Sequence, residues 1–112
     1  MPTALELYNE AEQLKAEDKL EEVVAKLEQA LEIDPAYSLA HSSLAVTLQK
    51  MGKHDEAIAH AQKTCELEPD DPFSFAAMSV TYQRAYAGTG DTQYIAMAEE
   101  AMEKSRILQS QR

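Results

Sequence analysis

The stretch MGKHDEAIAHAQKTCELEPDDP, from Met51 to Pro72, reads as a turn, one amphipathic helix and a stop. Gly52 suits the left-handed conformation that closes a preceding helix, a conformation that strains any residue with a β-carbon. Asp55 and Glu56 set negative charge at the start of the next helix, where the dipole stabilises it. Ala57, Ile58, Ala61, Cys65 and Leu67 then recur at roughly helical spacing. Pro69 and the pair Asp71-Pro72 end this helix and open another, because proline is tolerated in a first turn and not in an interior.

Working outward, the peptides ALEIDPAY and TCELEPDD both close a helix, and their prolines, Pro35 and Pro69, lie 34 positions apart. A period of about 34 residues built from two helices is the spacing of the tetratricopeptide repeat. The second unit, 38–71, resembles that family along its whole length: Ala45 is small where the family has glycine, Gly52 marks the turn, and Ala57 and Pro69 are in register. The first unit, 4–37, matches at Leu7, Ala11, Leu14, Val23, Leu27, Ala30 and Pro35. It departs at Glu10, where the family prefers leucine, and at Asp18, where it prefers the turn glycine. Thr3 with Glu6 has the spacing of a capping box for its first helix.

The third unit, 72–112, opens with Phe75, Met78, Ser79 and Tyr82 in register and closes with Ala98, Met102 and Ser105. Leu48 to Ala57 is a step of nine, whereas Tyr82 to Ala98 is a step of sixteen, so seven residues are inserted near 85–95. Divided between two arms, they lengthen each helix by about one turn. Tyr86 and Tyr94 would then continue the inner stripes, Gly88 and Gly90 would form the turn, and Asp91 or Thr92 would cap the last helix. The spacing predicts a hairpin that projects beyond the rest of the array. The resemblance implies an all-α fold: a right-handed α-solenoid of three antiparallel helix pairs, one domain over 1–112. In it Ala11, Ala45 and Ser79 let helices approach closely, and Leu14, Leu48 and Tyr82 fill the space one turn further on.

Composition agrees. The 112 residues include only three glycines, and Ala, Glu, Leu, Lys and Gln, all good helix formers, abound. A formal charge of -10 argues against nucleic acid and against an anionic membrane surface, both of which need clustered cations. No apolar run approaches the roughly 20 residues that span a bilayer, and MPTALELYNEAEQ lacks the basic and apolar regions of a secretory signal. A lone Cys65 excludes an internal disulfide and fits a reducing, cytoplasmic setting.

Little in the chain points to chemistry. His41, His54 and His60 show no metal-binding spacing, with His41 at a position that packs between helices and His54 at a turn. Cys65 falls where the family packs an apolar side chain, which suits a buried thiol and not a nucleophile. There is no G-x-S-x-G, Walker or dinucleotide fingerprint. The reading is a protein without enzymatic activity, cofactor or metal.

The family resemblance implies a concave face lined by the first helix of each pair. Its positions are Leu5, Tyr8, Glu12 and Lys15 in the first unit, and Leu39, Ser42, Val46, Gln49 and Lys50 in the second. In the third they are Phe73, Ala76, Val80, Gln83 and Arg84. The apolar row of Leu5, Tyr8, Leu39, Val46, Phe73 and Val80 has little structural reason to face water. Lys15, Lys50 and Arg84 would form one cationic edge. One family subgroup grips the carboxylates of chaperone tails with a lysine-asparagine-lysine-arginine clamp; here Tyr8, Glu12, Ser43, Phe73 and Ala77 stand at those positions and none matches. The expected partner is a protein or peptide segment with apolar anchors.

The alternative is self-assembly. Terminal repeats need a polar outer face or an extra helix, and after Ser105 only seven residues follow. The last helix is expected to expose some of Ile95, Met97, Met102, Ile107 and Leu108, an open end for a homodimer.

Overall fold

The computed structural model describes residues 1–111. Six helices follow one another: α1 Ala4–Ala16, α2 Leu20–Ile33, α3 Ser38–Lys50, α4 His54–Leu67, α5 Pro72–Thr89 and α6 Gln93–Ser110. No strand occurs among the described residues. The helices form three antiparallel pairs, α1 with α2, α3 with α4 and α5 with α6, stacked along an array of 41 × 34 × 21 Å.

The 34-residue period is written in the backbone as well as in the side chains. At the first turn Glu17 N–H donates to Leu14 O, Asp18 N–H to Lys15 O and Lys19 N–H to Leu14 O. At the second, Met51 donates to Leu48, Gly52 to Gln49 and Lys53 to Leu48, the same three bonds shifted by one repeat. The bond from Lys19 or Lys53 back to the leucine is that of a Schellman motif, which needs a left-handed residue in the middle. Gly52 supplies it at φ 79°, and Asp18 adopts it at φ 60° without a glycine's freedom. Thr3 and Glu6 form the full capping box: the Thr3 hydroxyl accepts from Glu6 N–H at 3.1 Å, and the Glu6 carboxylate accepts from Thr3 N–H at 3.2 Å.

The core runs through the small positions. Ala11, Val23, Leu27, Ala30, Ala40, Leu44, Leu48 and Ala57 are buried together between the first two pairs. Each pair thereby covers an apolar face that it cannot bury alone. The third pair substitutes serine at two such positions and satisfies both hydroxyls. Ser79 donates to Ala98 O at 2.8 Å, and Ser105 donates to Pro72 O at 2.8 Å. Buried polar groups are tolerated when bonded in this way.

α5 and α6 each have 18 residues against 13 or 14 in the other helices. Three details of the extension differ from the sequence expectation. Gly88 is not in the turn; it lies inside α5, where a β-carbon would come within 2.3 Å of His54 Nε2. Its role is close packing of α5 on the start of α4. Gly90 alone closes the helix, at φ 75°. The hairpin therefore leans on α4 instead of standing clear of it: Tyr94 stacks on Tyr82 at 6.1 Å, and its hydroxyl approaches Asp55 Oδ1 at 3.4 Å. Tyr86 does not join this stripe and is exposed. The cap of α6 comes from Asp91, whose Oδ1 accepts from Gln93 N–H at 3.1 Å, and not from Thr92.

Candidate functional site: the furrow between α3 and α5

α3 and α5 run side by side with α4 beneath them, and the space between them is an open furrow. One part, a cleft of about 390 Å³, is walled by Val46, Gln49 and Lys50 on α3 and by Ala77, Val80 and Arg84 on α5. Ala61 and Thr64 of α4 form its floor. A second hollow of about 300 Å³ continues it past Ser42, Thr64, Ser74 and Ala77 toward Leu39 and Phe73. Leu39 and Phe73 are 53% and 69% exposed, so the apolar side chains at this end are uncovered in the isolated chain.

Eight of the fourteen residues read from the sequence thus meet along one furrow: Leu39, Ser42, Val46, Gln49, Lys50, Phe73, Val80 and Arg84. The first-unit set does not join them. Tyr8 is half-buried against Tyr37, with ring centroids 5.8 Å apart. Burial, helped by the neighbouring Glu12 carboxylate, pushes its phenol up from the ordinary value. Lys15 is not part of a cationic edge: its Nζ donates to Ser43 Oγ at 2.6 Å and pairs with Glu12 at 3.2 Å. The register explains this, since one repeat on from Lys15 is Gln49, while the position before Lys50 is Ala16. Ser43 Oγ in turn donates to Glu12 Oε1 at 3.1 Å, so these three side chains bridge α1 to α3. Leu5 is exposed on α1, apart from the furrow.

Ala76 and Gln83 also lie elsewhere. They are seven residues apart and so share one face of α5. Gln83 turns toward the open end of the array, donating to Ser79 Oγ at 3.2 Å. There it lines a hollow of about 570 Å³ with Ile95, Ala98, Met102 and Arg106. Ile95 and Ile107 are exposed and Leu108 is buried, so only part of the apolar set expected on the last helix faces outward.

The residues missed from sequence are the small ones: Ala45, Ala61, Thr64, Ser74, Ala77 and Thr81, together with Met78. A large residue announces itself by its hydrophobicity, whereas a depression is made by what is short. The available signal was the 34-residue register, which aligns Ala77 with the bridging Ser43.

The titratable groups near the furrow are held in unreactive states. Cys65 is buried and donates to Ser74 O at 3.4 Å; burial, with the nearby Asp71, pushes its thiol up to about 11. A thiol so raised stays protonated near neutrality and makes a poor nucleophile. His41 and His60, on α3 and α4, face each other with Nδ1 atoms 2.9 Å apart. His41 Nε2 lies 2.9 Å from Pro35 O. A carbonyl only accepts, so His41 donates from Nε2 to Pro35 O, and one of the two facing Nδ1 atoms donates to the other. Burial, followed by the proximity of His41, lowers the pKa of His60. Among the described residues no three His, Cys, Asp or Glu side chains converge as a metal site.

A family model described as tetratricopeptide repeat matches residues 14–78, more than half of the chain. The chain belongs to the tetratricopeptide repeat family. Among solved structures it resembles a crystal structure of MamA with a TM-score of 0.83 and 21% identity, over 97% of this chain and 60% of that one. A crystal structure of MamA protein is similar at a TM-score of 0.72 and 22% identity, over 93% of this chain and 57% of that one. At such identity the likeness shows the tetratricopeptide fold alone, and this chain spans about 60% of the length of the MamA chain. No curated protein sequence matches it. Tetratricopeptide arrays are in general protein–protein interaction modules, and no described helix here is long and apolar enough to cross a membrane.

Proposed function

We propose that this chain is an adaptor that holds a segment of another protein in the furrow between α3 and α5 and catalyses nothing. The observation that carries the reading is the uncovered apolar lining: Leu39, Val46, Phe73 and Val80 are all exposed along one continuous depression. Burying that lining supplies roughly 25 cal/mol per Å² of apolar surface. The furrow is short and shallow, so micromolar affinity is expected after the cost of association. The protonated thiol of Cys65 fits a non-catalytic protein in a reducing, cytoplasmic setting.

The test is capture of partners from the native host on the immobilised chain, then calorimetric titration of the segment recovered. Phe73→Glu should lower affinity by at least about tenfold, because it sets a charge where an apolar anchor is buried. Unchanged affinity overturns the furrow as the site.

A second reading has its own observation. The hollow of about 570 Å³ between α5 and α6 leaves Ile95 exposed beside Ala98 and Met102 at the end of the array. A second copy stacked there would make a homodimer. Sedimentation across concentrations separates the two: a dimer lost on Ile95→Glu supports assembly, and a monomer throughout removes it.

A further inference from the structure

The cations of this acidic chain are distributed unevenly between paired and free. Of the described Lys and Arg side chains, Lys15, Lys19, Lys26, Lys63 and Arg106 form ion pairs. Lys50, Lys53, Arg84 and Lys104 have none among the described residues, and two of these, Lys50 and Arg84, line the same cleft from opposite walls. Lys50 stands in the last turn of α3, where the helix dipole favours a cation whatever lies beside it. Arg84 has no such reason. α5 runs on to Thr89, so Arg84 sits more than a turn inside its helix. The acids at the far end of the furrow are already engaged: Glu68 accepts the Ser38 hydroxyl, and Asp71 caps α5 by accepting from Phe73 N–H and the Ser74 hydroxyl.

The furrow therefore has an apolar end at Leu39 and Phe73 and, among the described residues, a positive end without ion pairs at Lys50 and Arg84. Leu39 to Lys50 and Phe73 to Arg84 are both eleven residues along a helix, about 16 Å at 1.5 Å per residue. The walls are helices whose backbone groups are bonded internally, so they offer no ladder to an extended strand. A helical partner satisfies its own backbone, and the short side chains of Ser42, Ala45 and Ala77 leave depth for its ridge.

We infer that the furrow takes an amphipathic helix of another protein that carries carboxylates about three turns from a large apolar anchor. The carboxylates lie between Lys50 and Arg84, and the anchor lies against Leu39 and Phe73. This rests on the furrow being the binding site and adds the chemistry and polarity of what binds. Recognition is set against the chain's own charge of -10, which on its own would select a basic partner.

Two synthetic helical peptides test it, identical in their leucine face and differing only in two residues eleven positions from the anchoring leucine, Glu-Glu in one and Lys-Lys in the other. Each is titrated into the full isotope-labelled chain at low salt, following amide shifts. The acidic peptide should bind at least about tenfold more tightly, the scale on which complementary charge discriminates partners. Lys50→Glu with Arg84→Glu should reverse that order; both side chains are exposed, and an unchanged helical circular dichroism signal confirms the fold. Equal or tighter binding of the basic peptide to the native chain, or a preference untouched by the double substitution, overturns the inference while shifts at Val46 and Val80 leave the furrow reading standing. If neither peptide moves those amides, the furrow reading itself falls, and the inference falls with it.

Discussion

The furrow between α1 and α3 and the one between α3 and α5 are built from equivalent positions, yet one is bridged and the other open. Tyr8, Glu12 and Lys15 on α1 correspond to Ser42, Val46 and Gln49 on α3, and Ser43 corresponds to Ala77. In the first furrow Lys15, Ser43 and Glu12 join the two helices within 3.2 Å contacts, and Tyr8 packs on Tyr37. In the second, every one of those groups is replaced by one that is shorter, neutral or apolar, and a cleft of about 390 Å³ remains. The helix frame is common to both. The difference between a bridged furrow and an open one resides in four positions.

The comparison is broken most completely by moving the first furrow's network into the second. Val46→Glu, Gln49→Lys and Ala77→Ser together recreate the carboxylate, the ammonium and the bridging hydroxyl one repeat on. Partner affinity should fall by more than about tenfold, because the apolar wall is lost and a charged bridge crosses the cleft. Stability should change by less than about 1 kcal/mol, since all three positions are at the surface or half-exposed. Calorimetric titration and urea denaturation read the two quantities separately. Retained affinity would show that the partner does not enter between α3 and α5.

The converse change opens the first furrow. Ser43→Ala removes the hydroxyl that accepts from Lys15 and donates to Glu12, leaving the direct Lys15–Glu12 pair at 3.2 Å. Ser43 is buried, and bonds to charged groups contribute more than neutral ones, so a loss of about 1–2 kcal/mol is expected. The same substitution has no counterpart in the second furrow, where Ala77 already stands. A urea midpoint that does not move would mean that the bridge is ornamental and that packing alone joins α1 to α3.

How much of this was readable beforehand follows from the same contrast. The three helix pairs were legible because they are specified redundantly: small residues at Ala11, Ala45 and Ser79, large ones at Leu14, Leu48 and Tyr82, and turns at Asp18 and Gly52 all recur at one period. The exposed apolar residues Leu39, Val46, Phe73 and Val80 were legible because their positions on a first helix follow from that period. The bridge was not, because whether Lys15 faces a groove or a serine depends on which neighbour offers an acceptor across a helix gap. Gly88 was misread for a similar reason. A glycine between Tyr86 and Gly90 looks like part of a turn, and only the 2.3 Å that would separate an added β-carbon from His54 identifies it as a packing residue. The pairing of His41 with His60 joins residues 19 apart on two helices, a separation that no local pattern marks.

That histidine pair sharpens the contrast between units at lower pH. Its equivalents in the first unit are Leu7, which is buried, and Lys26, which pairs with Glu10, so the first unit has no histidine pair. His60 has its pKa lowered on folding, by burial first and by His41 second, against the opposing influence of Glu56. The folded chain therefore binds fewer protons than the unfolded one below the ordinary histidine pKa of about 6.5. The contribution is fully present above that value and is lost as pH falls below it. Melting temperatures between pH 7.5 and 5 should drop less steeply in His60→Gln than in the native chain, an effect smaller than that of Ser43→Ala. Parallel slopes would show that the pair does not couple folding to protons.

The smallest effect lies at the two equivalent turns. Both are closed by the same three backbone bonds, and both require a left-handed residue, Asp18 at φ 60° and Gly52 at φ 79°. That conformation costs a residue with a β-carbon about 1–2 kcal/mol, less for aspartate, while glycine adopts it freely but loses more entropy on folding. The two terms oppose each other, so Asp18→Gly should stabilise the chain by only about 0.5 kcal/mol, and Gly52→Asp should destabilise it by a comparable amount. No atom lies within 4 Å of a β-carbon placed on Gly52, so the second change reports backbone strain without a clash. Urea midpoints that shift in opposite directions for the two variants would establish the turns as equivalent. Shifts of the same sign would mean that the Asp18 side chain stabilises its turn by some interaction that the repeat does not share.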